Sequence, residues 1–381
     1  MHQAPGIIIG AGIAGLTAAL ALRQRGIEAV VYEAAPQILP LGAGIWMAPN
    51  AMQVFGRLGL AGQVDAAGVP LATIEITDGQ LRPVLQTNQA RIRARFGHGT
   101  TAIRRAALQG MLLEAVGPAQ VQLGKVLATL TDDGPAVVAH FADGSTVPAS
   151  FVVAADGIHS PVRQALFPRA QAQGSGHLVW RGMARLALPP RLRRGIHEAW
   201  AGGVRFGFSE IEDGLVDWFA AVPGSFGGGR EQLGARLQAA FAAFAAPVPA
   251  VLAATPEASI IRNEVLDLPP LPTWHRGRVG LIGDAAHATT PYMGQGGCQA
   301  VEDAYALALC LQQHPHDPAA AFAALYRLRH AKARHVWRTS RLIGRVGYWQ
   351  GAAAAVRNAA IRATPQWLTE RQFCGVYQLG F

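Results

Sequence analysis

The chain is poor in cysteine, in lysine and in charge altogether. Its 381 residues hold three cysteines, Cys298, Cys310 and Cys374, whose spacing suits neither a zinc site nor a disulfide framework and fits a reducing compartment. Charged residues make up 15% of the chain against 50% hydrophobic, which excludes disorder and supplies a large core. Lysine occurs only at Lys125 and Lys332, so arginine carries the formal charge of +9. The arginines are scattered and no basic run is interleaved with aromatics, so no nucleic-acid partner is expected. Internal repeats and low-complexity linkers are missing too. The one apolar run of note, residues 6–22, contains four glycines and lacks a basic leader and a cleavage site, so it reads as neither signal nor membrane span. The length suits two closely joined domains or one elaborated α/β domain, expected to be soluble and cytoplasmic.

What the chain has is glycine at turns that follow short apolar strands. Residues 6–34, GIIIGAGIAGLTAALALRQRGIEAVVYEA, read as strand, glycine turn, helix and strand. Gly10, Gly12 and Gly15 fill GxGxxG, with Ala14 inside the motif: a tight turn, room for a pyrophosphate, and close helix–strand packing. Glu33, followed by Ala34, ends the second strand where a carboxylate takes ribose hydroxyls. An acid there disfavours a 2′-phosphate, so NADP is not the resident dinucleotide. Residues 150–163, SFVVAADGIHSPVR, carry Asp156 to a sheet edge in the same way.

The third such stretch, residues 277–304, is GRVGLIGDAAHATTPYMGQGGCQAVEDA. A strand over residues 279–282 delivers Asp284 to the carboxyl edge of a sheet, where ligands of open α/β sheets bind. A loop with Pro291 follows. Gly294, Gly296 and Gly297 leave backbone amides free to approach a planar ligand, close to the start of a helix that favours negative charge.

Between these motifs, residues 102–116 read as a helix with arginines in its first turn, and residues 121–147 as a β-meander. Residues 171–274 turn to short strands holding four of the eight tryptophans (Trp180, Trp200, Trp218 and Trp274) with an alanine-rich helix over 228–254. Helices are expected over 299–313 and 319–345. The basic tail, 347–381, is expected to cover the core rather than to lie on a membrane.

In this order the three motifs resemble the single-component class A flavoprotein monooxygenases, over nearly the whole chain. The resemblance implies an α/β fold: a GxGxxG, FAD-binding, Rossmann-like domain over residues 1–170 and 275–345, an inserted antiparallel-sheet substrate domain over 171–274, and C-terminal helices over 346–381. It implies FAD as cofactor, NAD(P)H as transient co-substrate, O2, and an aromatic or conjugated small-molecule substrate, with the excess positive charge drawing in the anionic cofactors. The first motif would bind the ADP half of FAD. Asp156 would serve FAD and NAD(P)H handling, Asp284 the ribityl chain, and Arg105 the cofactor, with the backbone of Val126 at the adenine. Pro291, Gly294, Gln295, Gly296, Gly297 and Cys298 would line the flavin ring, Cys298 standing where the family usually has asparagine.

Within the family the texture is nearest to the alkylquinolone hydroxylase, urate hydroxylase and zeaxanthin epoxidase-like group. Arg205 would face the substrate and Trp46 would line the pocket. Urate hydroxylases carry a tyrosine where this chain has Asp217, which disfavours urate and favours an apolar, conjugated substrate. The implied chemistry runs through a flavin C4a-hydroperoxide, with His287 in a structural role and no general base assigned. An FAD-dependent reductase of the same fold, a binding protein without oxygen transfer, and hydroxylation of an antibiotic stand beside this reading.

Overall fold

The computed structural model describes residues 4–39, 43–132, 134, 136–226 and 232–381. Residues 40–42 and the first residues of the expected alanine-rich helix, 228–231, lie outside them.

Four short strands explain why distant motifs act together. Gly6–Ile9 pairs in parallel with Ala29–Tyr32 on one side and Val152–Ala154 on the other. Val152–Ala154 in turn pairs in parallel with Val279–Leu281. Ile9 stands opposite Tyr32 and Ala154, and Ala154 opposite Leu281, so all four strands end at one level. The turns at Gly10, Asp156 and Asp284 therefore open on the same sheet edge. Three of these strands are buried throughout, as parallel strands covered on both faces must be. Ile13–Arg23 and Gly296–Gln313 cover one face of the sheet and are themselves buried nearly all round. The expected meander, Leu127–Asp132, Val137–Phe141 and Thr146–Ala149, packs its apolar side with the other.

A second sheet has seven strands. Five are Ile261–Asp267, Gln173–Arg185, Leu215–Pro223, Val204–Glu212 and Gly195–Ala201, in that spatial order. Thr73–Asp78 and Pro83–Asn88 complete it, so the sheet draws two strands from the first third of the chain. Side chains alternate between its faces. One face carries Trp180, Trp218, Phe206 and Phe208 against the helices Leu233–Phe241 and Val248–Ala253, so those two tryptophans are core. The alanine-rich helix is thus two helices, the first ending at Phe241 and the second opening after Pro247. The other face carries Arg181, Asp217, Phe219, Arg205 and Ser209 towards the first domain.

One expected helix is shorter than its pattern. Thr101–Arg104 is a strand paired with Gly44–Met47, and the helix runs only from Arg105 to Val116. The β-branched Thr101 and Ile103 suit the ladder, and the helix begins where the ladder ends. The tail forms Gly351–Ala363 and Gln366–Tyr377, separated at Pro365. Val376, Tyr377 and Leu379 join the main core, as expected of a covering tail, whereas most of Gly351–Ala363 stands exposed.

Candidate functional site

The glycine turn is built to receive a ligand. Gly10 has φ +103°, a conformation that L side chains rarely adopt. A Cβ on Gly15 would lie 1.9 Å from the carbonyl oxygen of Gly10, so only glycine lets the helix sit on the strand. A Cβ on Gly12, by contrast, would meet nothing within 4 Å. That space lies at the first turn of Ile13–Arg23, where unpaired amides favour a phosphate. Glu33 braces the turn: its carboxylate accepts from Ala11 N at 2.7 Å and from Ala35 N at 2.9 Å. Ala14 packs inside, beside Gly283. Gln109 donates to the carbonyl of Ala11 at 2.8 Å, a contact with no motif to announce it. Ala34 and Arg105 are exposed at the rim. Val126, also exposed, has its carbonyl engaged by Ala142 N at 2.9 Å.

The two aspartates stand at the same edge. Asp156 accepts from Val162 N at 3.3 Å through Oδ2, while its buried Oδ1 has no partner. Burial raises its carboxyl, opposed by hydrogen bonds from Ser160 and Val162. Arg163 braces the turn, donating to the carbonyls of Ile158 at 2.5 Å and Ala285 at 3.3 Å. It thereby ties the Asp156 turn to the Asp284 turn. Asp284 stands exposed at the sheet edge with buried residues on both sides of it in the chain. Burial raises its carboxyl against the pull of His287, Arg105 and Arg163. Among the described residues no donor reaches that carboxylate. Open space at Gly12, the unpartnered Oδ1 of Asp156 and the Asp284 carboxylate fit a phosphate-bearing ligand rich in hydroxyls, and so fit FAD.

The glycine loop adjoins the strand Gly44–Met47. A Cβ on Gly294, at φ +62°, would touch the Trp46 ring at 3.4 Å, and one on Gly297 would press Ile45 at 3.1 Å. Gly296 opens the helix Gly296–Gln313, so the loop amides sit at its positive end. Pro291, exposed, opens the turn before it. Gln295 is buried, its Oε1 accepting from Asn50 at 3.0 Å and from Gln299 at 3.1 Å. Cys298 points its thiol into the core, accepting from Ala48 N at 3.3 Å, and burial pushes it up to about 12. That thiol fastens the loop to the neighbouring strand and leaves only its backbone for a ligand.

Behind the loop lies a buried ionic cluster. Arg329 donates to Asp303 at 2.9 Å, to Glu302 at 2.5 Å and to Gln299 at 2.6 Å. Asp303 also accepts from Gly283 N at 3.0 Å and pairs with His287, whose role is therefore structural. Lys332 bridges Glu302 and the carbonyl of Gln378, both at 2.8 Å, which ties in the C-terminus. Burial alone would raise Asp303, but the charges and hydrogen bonds of His287 and Arg329 hold it at about 2. A folded value below the unfolded one stabilises the fold above the unfolded value. That contribution is lost as pH falls through about 4 towards about 2, and amounts to about 2 kcal/mol. Denaturant melts across this window should reveal the loss in the wild type and its absence in Asp303→Asn.

The front face of the seven-stranded sheet closes the site. Asp217 accepts from Gly44 N at 2.7 Å, while Arg181 donates to Gly44 O at 2.7 Å and stands 3.8 Å from Asp217. Burial raises the Asp217 carboxyl, opposed by Arg181 and by the Gly44 amide. Trp46 donates to Ser209 Oγ at 2.9 Å and lies 6.0 Å from the Phe219 ring, lining the gap between loop and sheet. Arg205 is fully buried and donates through Nε to Glu198 at 2.6 Å. Its guanidinium lies 4.4 Å from the Tyr292 ring centre and 4.9 Å from that of Trp200. Tyr292 meets the hydroxyl of Tyr348 at 3.2 Å, and His177 stacks on Tyr348 at 4.0 Å. Arg205 and the Pro291 turn thus share a wall through Tyr292, and Nη1 of Arg205 is buried without an acceptor.

Sequence patterns did not mark Arg181, Ser209 or Phe219. Strand alternation from Arg205 would have led to Ser209, but the others depend on pairings between distant segments. A separate cleft of about 430 Å³, lined by Leu271, Trp274, His287, Tyr326 and Trp337 among others, shares only His287 with these residues. Among the described residues no group of side chains is arranged to hold a metal.

Residues 3–200 and 270–338 match the FAD binding domain family. The chain is 36% identical over 358 residues to aurachin C monooxygenase/isomerase of Stigmatella aurantiaca, covering 93% of both. It is 36% identical over 317 residues to an FAD-dependent urate hydroxylase of Klebsiella pneumoniae, covering 81% of both. With 2-heptyl-3-hydroxy-4(1H)-quinolone synthase of Pseudomonas aeruginosa it shares 31% over 387 residues and 98% of both. The crystal structure of Klebsiella pneumoniae HpxO complexed with FAD and uric acid matches with a TM-score of 0.90 and 30% identity, over 99% of this chain and 97% of that one.

Proposed function

Since the chain belongs to the FAD binding domain family and is an FAD-dependent monooxygenase, we propose that it uses NAD(P)H and O2 to hydroxylate a planar, conjugated, largely apolar molecule that carries a ring oxygen. The observation that carries this reading is Arg205. A buried guanidinium with one donor lacking an acceptor, among Trp200, Tyr292 and Tyr348, suits a flat ring whose oxygen bears negative charge. Relatives named for a quinolone and for urate support a planar oxygenated substrate. Asp217, engaged by Gly44 and facing Arg181, stands in place of the tyrosine hydroxyl, which favours a quinolone-like ring over a purine.

Bound FAD supplies the activation of O2 and the oxygen atom that is transferred. The residues supply the rest. Gly12, Glu33, Asp156 and Asp284 would hold the dinucleotide and its ribityl chain. The amides at Gly294, Gly296 and Gly297, at a helix N-terminus, would stabilise negative charge on the flavin ring. Trp46 and Phe219 would flank the ring that is to be hydroxylated. Arg205, oriented by Glu198, would hold the substrate oxygen as an anion and so enrich the ring carbon that attacks. Tyr292, Tyr348 and His177 would exclude water from that pocket.

The test is NADH and NADPH oxidation by the FAD-loaded protein with a panel of quinolones, phenols and purines, followed by O2 uptake and product mass. The expected result is a quinolone or phenol that accelerates coenzyme oxidation and gains one oxygen atom. FAD reduction without O2 uptake for every compound would point to the reductase instead.

A further inference from the structure

We propose that the end of the helix Pro318–Gly347 and the helix Gly351–Ala363 form a surface that docks on an anionic lipid bilayer. The excess charge of the protein is concentrated here. Residues 331–381 hold eight of the 33 lysines and arginines but a single acid, Glu370. Several of these cations are committed elsewhere: Lys332 to Glu302, Arg341 to Asp267, Arg362 to Asp78, and Arg357 buried against Trp200. Arg334, Arg338, Arg345 and Arg371 remain exposed, and among the described residues none of them pairs with a carboxylate.

Apolar residues are exposed among those cations. Arg338, Leu342 and Arg345 follow one another at steps of four and three, which places them on one helical face, and Trp349 lies just past the end of that helix. Leu342 is 57% and Trp349 45% exposed. The next helix repeats the pattern without charge: Ala352, Val356, Ala359 and Ala363 share its outer face, with Val356 67% exposed and Arg357 turned inward. Trp367, at 63%, follows. Exposed tryptophan, leucine and valine beside unpaired arginines suit the boundary between lipid headgroups and acyl chains, where each side chain finds its preferred medium. Charge selects anionic headgroups over zwitterionic ones. No helix among the described residues is long and apolar enough to cross a membrane, so the contact is peripheral.

The surface also adjoins the substrate pocket. A Cβ on Gly344 would lie 2.5 Å from the Tyr292 ring and one on Gly347 3.1 Å from Arg205, and Tyr348 stacks on His177. The link between the two helices is therefore a wall of that pocket. Delivery of an apolar substrate from the bilayer would follow; this consequence rests on the proposed function, whereas the docking itself does not.

Sedimentation with phosphatidylcholine vesicles, with and without phosphatidylglycerol, tests the proposal on the FAD-loaded protein. Binding is expected only with the anionic lipid, and it should weaken as salt is raised. Arg338→Gln with Arg345→Gln should lower the partition coefficient by at least about tenfold. Trp349→Ser with Trp367→Ser should also lower it, with flavin content and melting temperature unchanged in both variants. Three outcomes would overturn the proposal: equal binding to neutral vesicles, no binding to either, or binding that both variants leave intact. A dimer dispersed by the tryptophan changes would assign the face to a second copy of the chain. Retention on DNA that outcompetes the vesicles would assign it to nucleic acid.

Discussion

Gly12→Ala is expected to fold with the melting temperature of the flavin-free wild type yet bind FAD about a hundredfold more weakly. Gly15→Ala should lose both stability and flavin. The difference lies in what each missing Cβ would meet. At Gly15 it meets the backbone oxygen of Gly10 at 1.9 Å, inside the 3.4 Å where ordinary contact begins, and neither backbone can move without lifting the helix off the sheet. At Gly12 it meets nothing within 4 Å, and φ −75° with ψ −178° suits alanine, so the polypeptide has no objection. Only a pyrophosphate in that space would collide with the added methyl. Titration of flavin-free protein with FAD, alongside thermal melts, separates the two. Full FAD affinity in Gly12→Ala would place the dinucleotide elsewhere.

Arg205→Gln is expected to lower kcat/KM for an oxyanion-bearing substrate by about 10- to 100-fold, the worth of a buried charge-assisted hydrogen bond. Coenzyme oxidation in the absence of substrate should change little. Arg205→Lys should not restore activity, because an ammonium cannot bond Glu198, face Tyr292 and reach the substrate in the same plane. The variant removes one partner of a buried ion pair, so its stability needs checking against Glu198→Gln, which breaks the same pair while leaving the guanidinium charge. If the two variants lose the same activity and the same stability, Arg205 acts through folding alone. A larger loss of kcat/KM in Arg205→Gln assigns it to the substrate.

The contrast between these residues shows what the sequence can reveal. GxGxxG, Asp156 and Asp284 were legible because each lies on a contiguous strand–turn–helix unit whose signals are local. That they share one edge follows from parallel pairing of adjacent strands, which the resemblance to a family implied and the register now explains. Residues 102–104 of the strand Thr101–Arg104 read as helix because the partner strand, Gly44–Met47, lies far away in the chain. Thr73–Asp78 was invisible as part of the second sheet for the same reason. Arg329 carries no pattern: only the fold brings one arginine of 31 between Glu302 and Asp303. Cys298 was legible as part of the glycine loop, but not that its thiol turns to Ala48 and the core. Local chemistry is written in local spacing, whereas pocket walls are written in pairings that span the chain.

The most direct measurement uses ¹⁸O₂ with the FAD-loaded protein, NAD(P)H and whichever conjugated substrate accelerates coenzyme oxidation. One labelled atom in the product, with one coenzyme oxidised per product formed, is the predicted result. A hydroxylated product without label, its oxygen drawn from water, or coenzyme oxidised with all the oxygen recovered as hydrogen peroxide and the substrate unchanged, would contradict the hydroxylase reading.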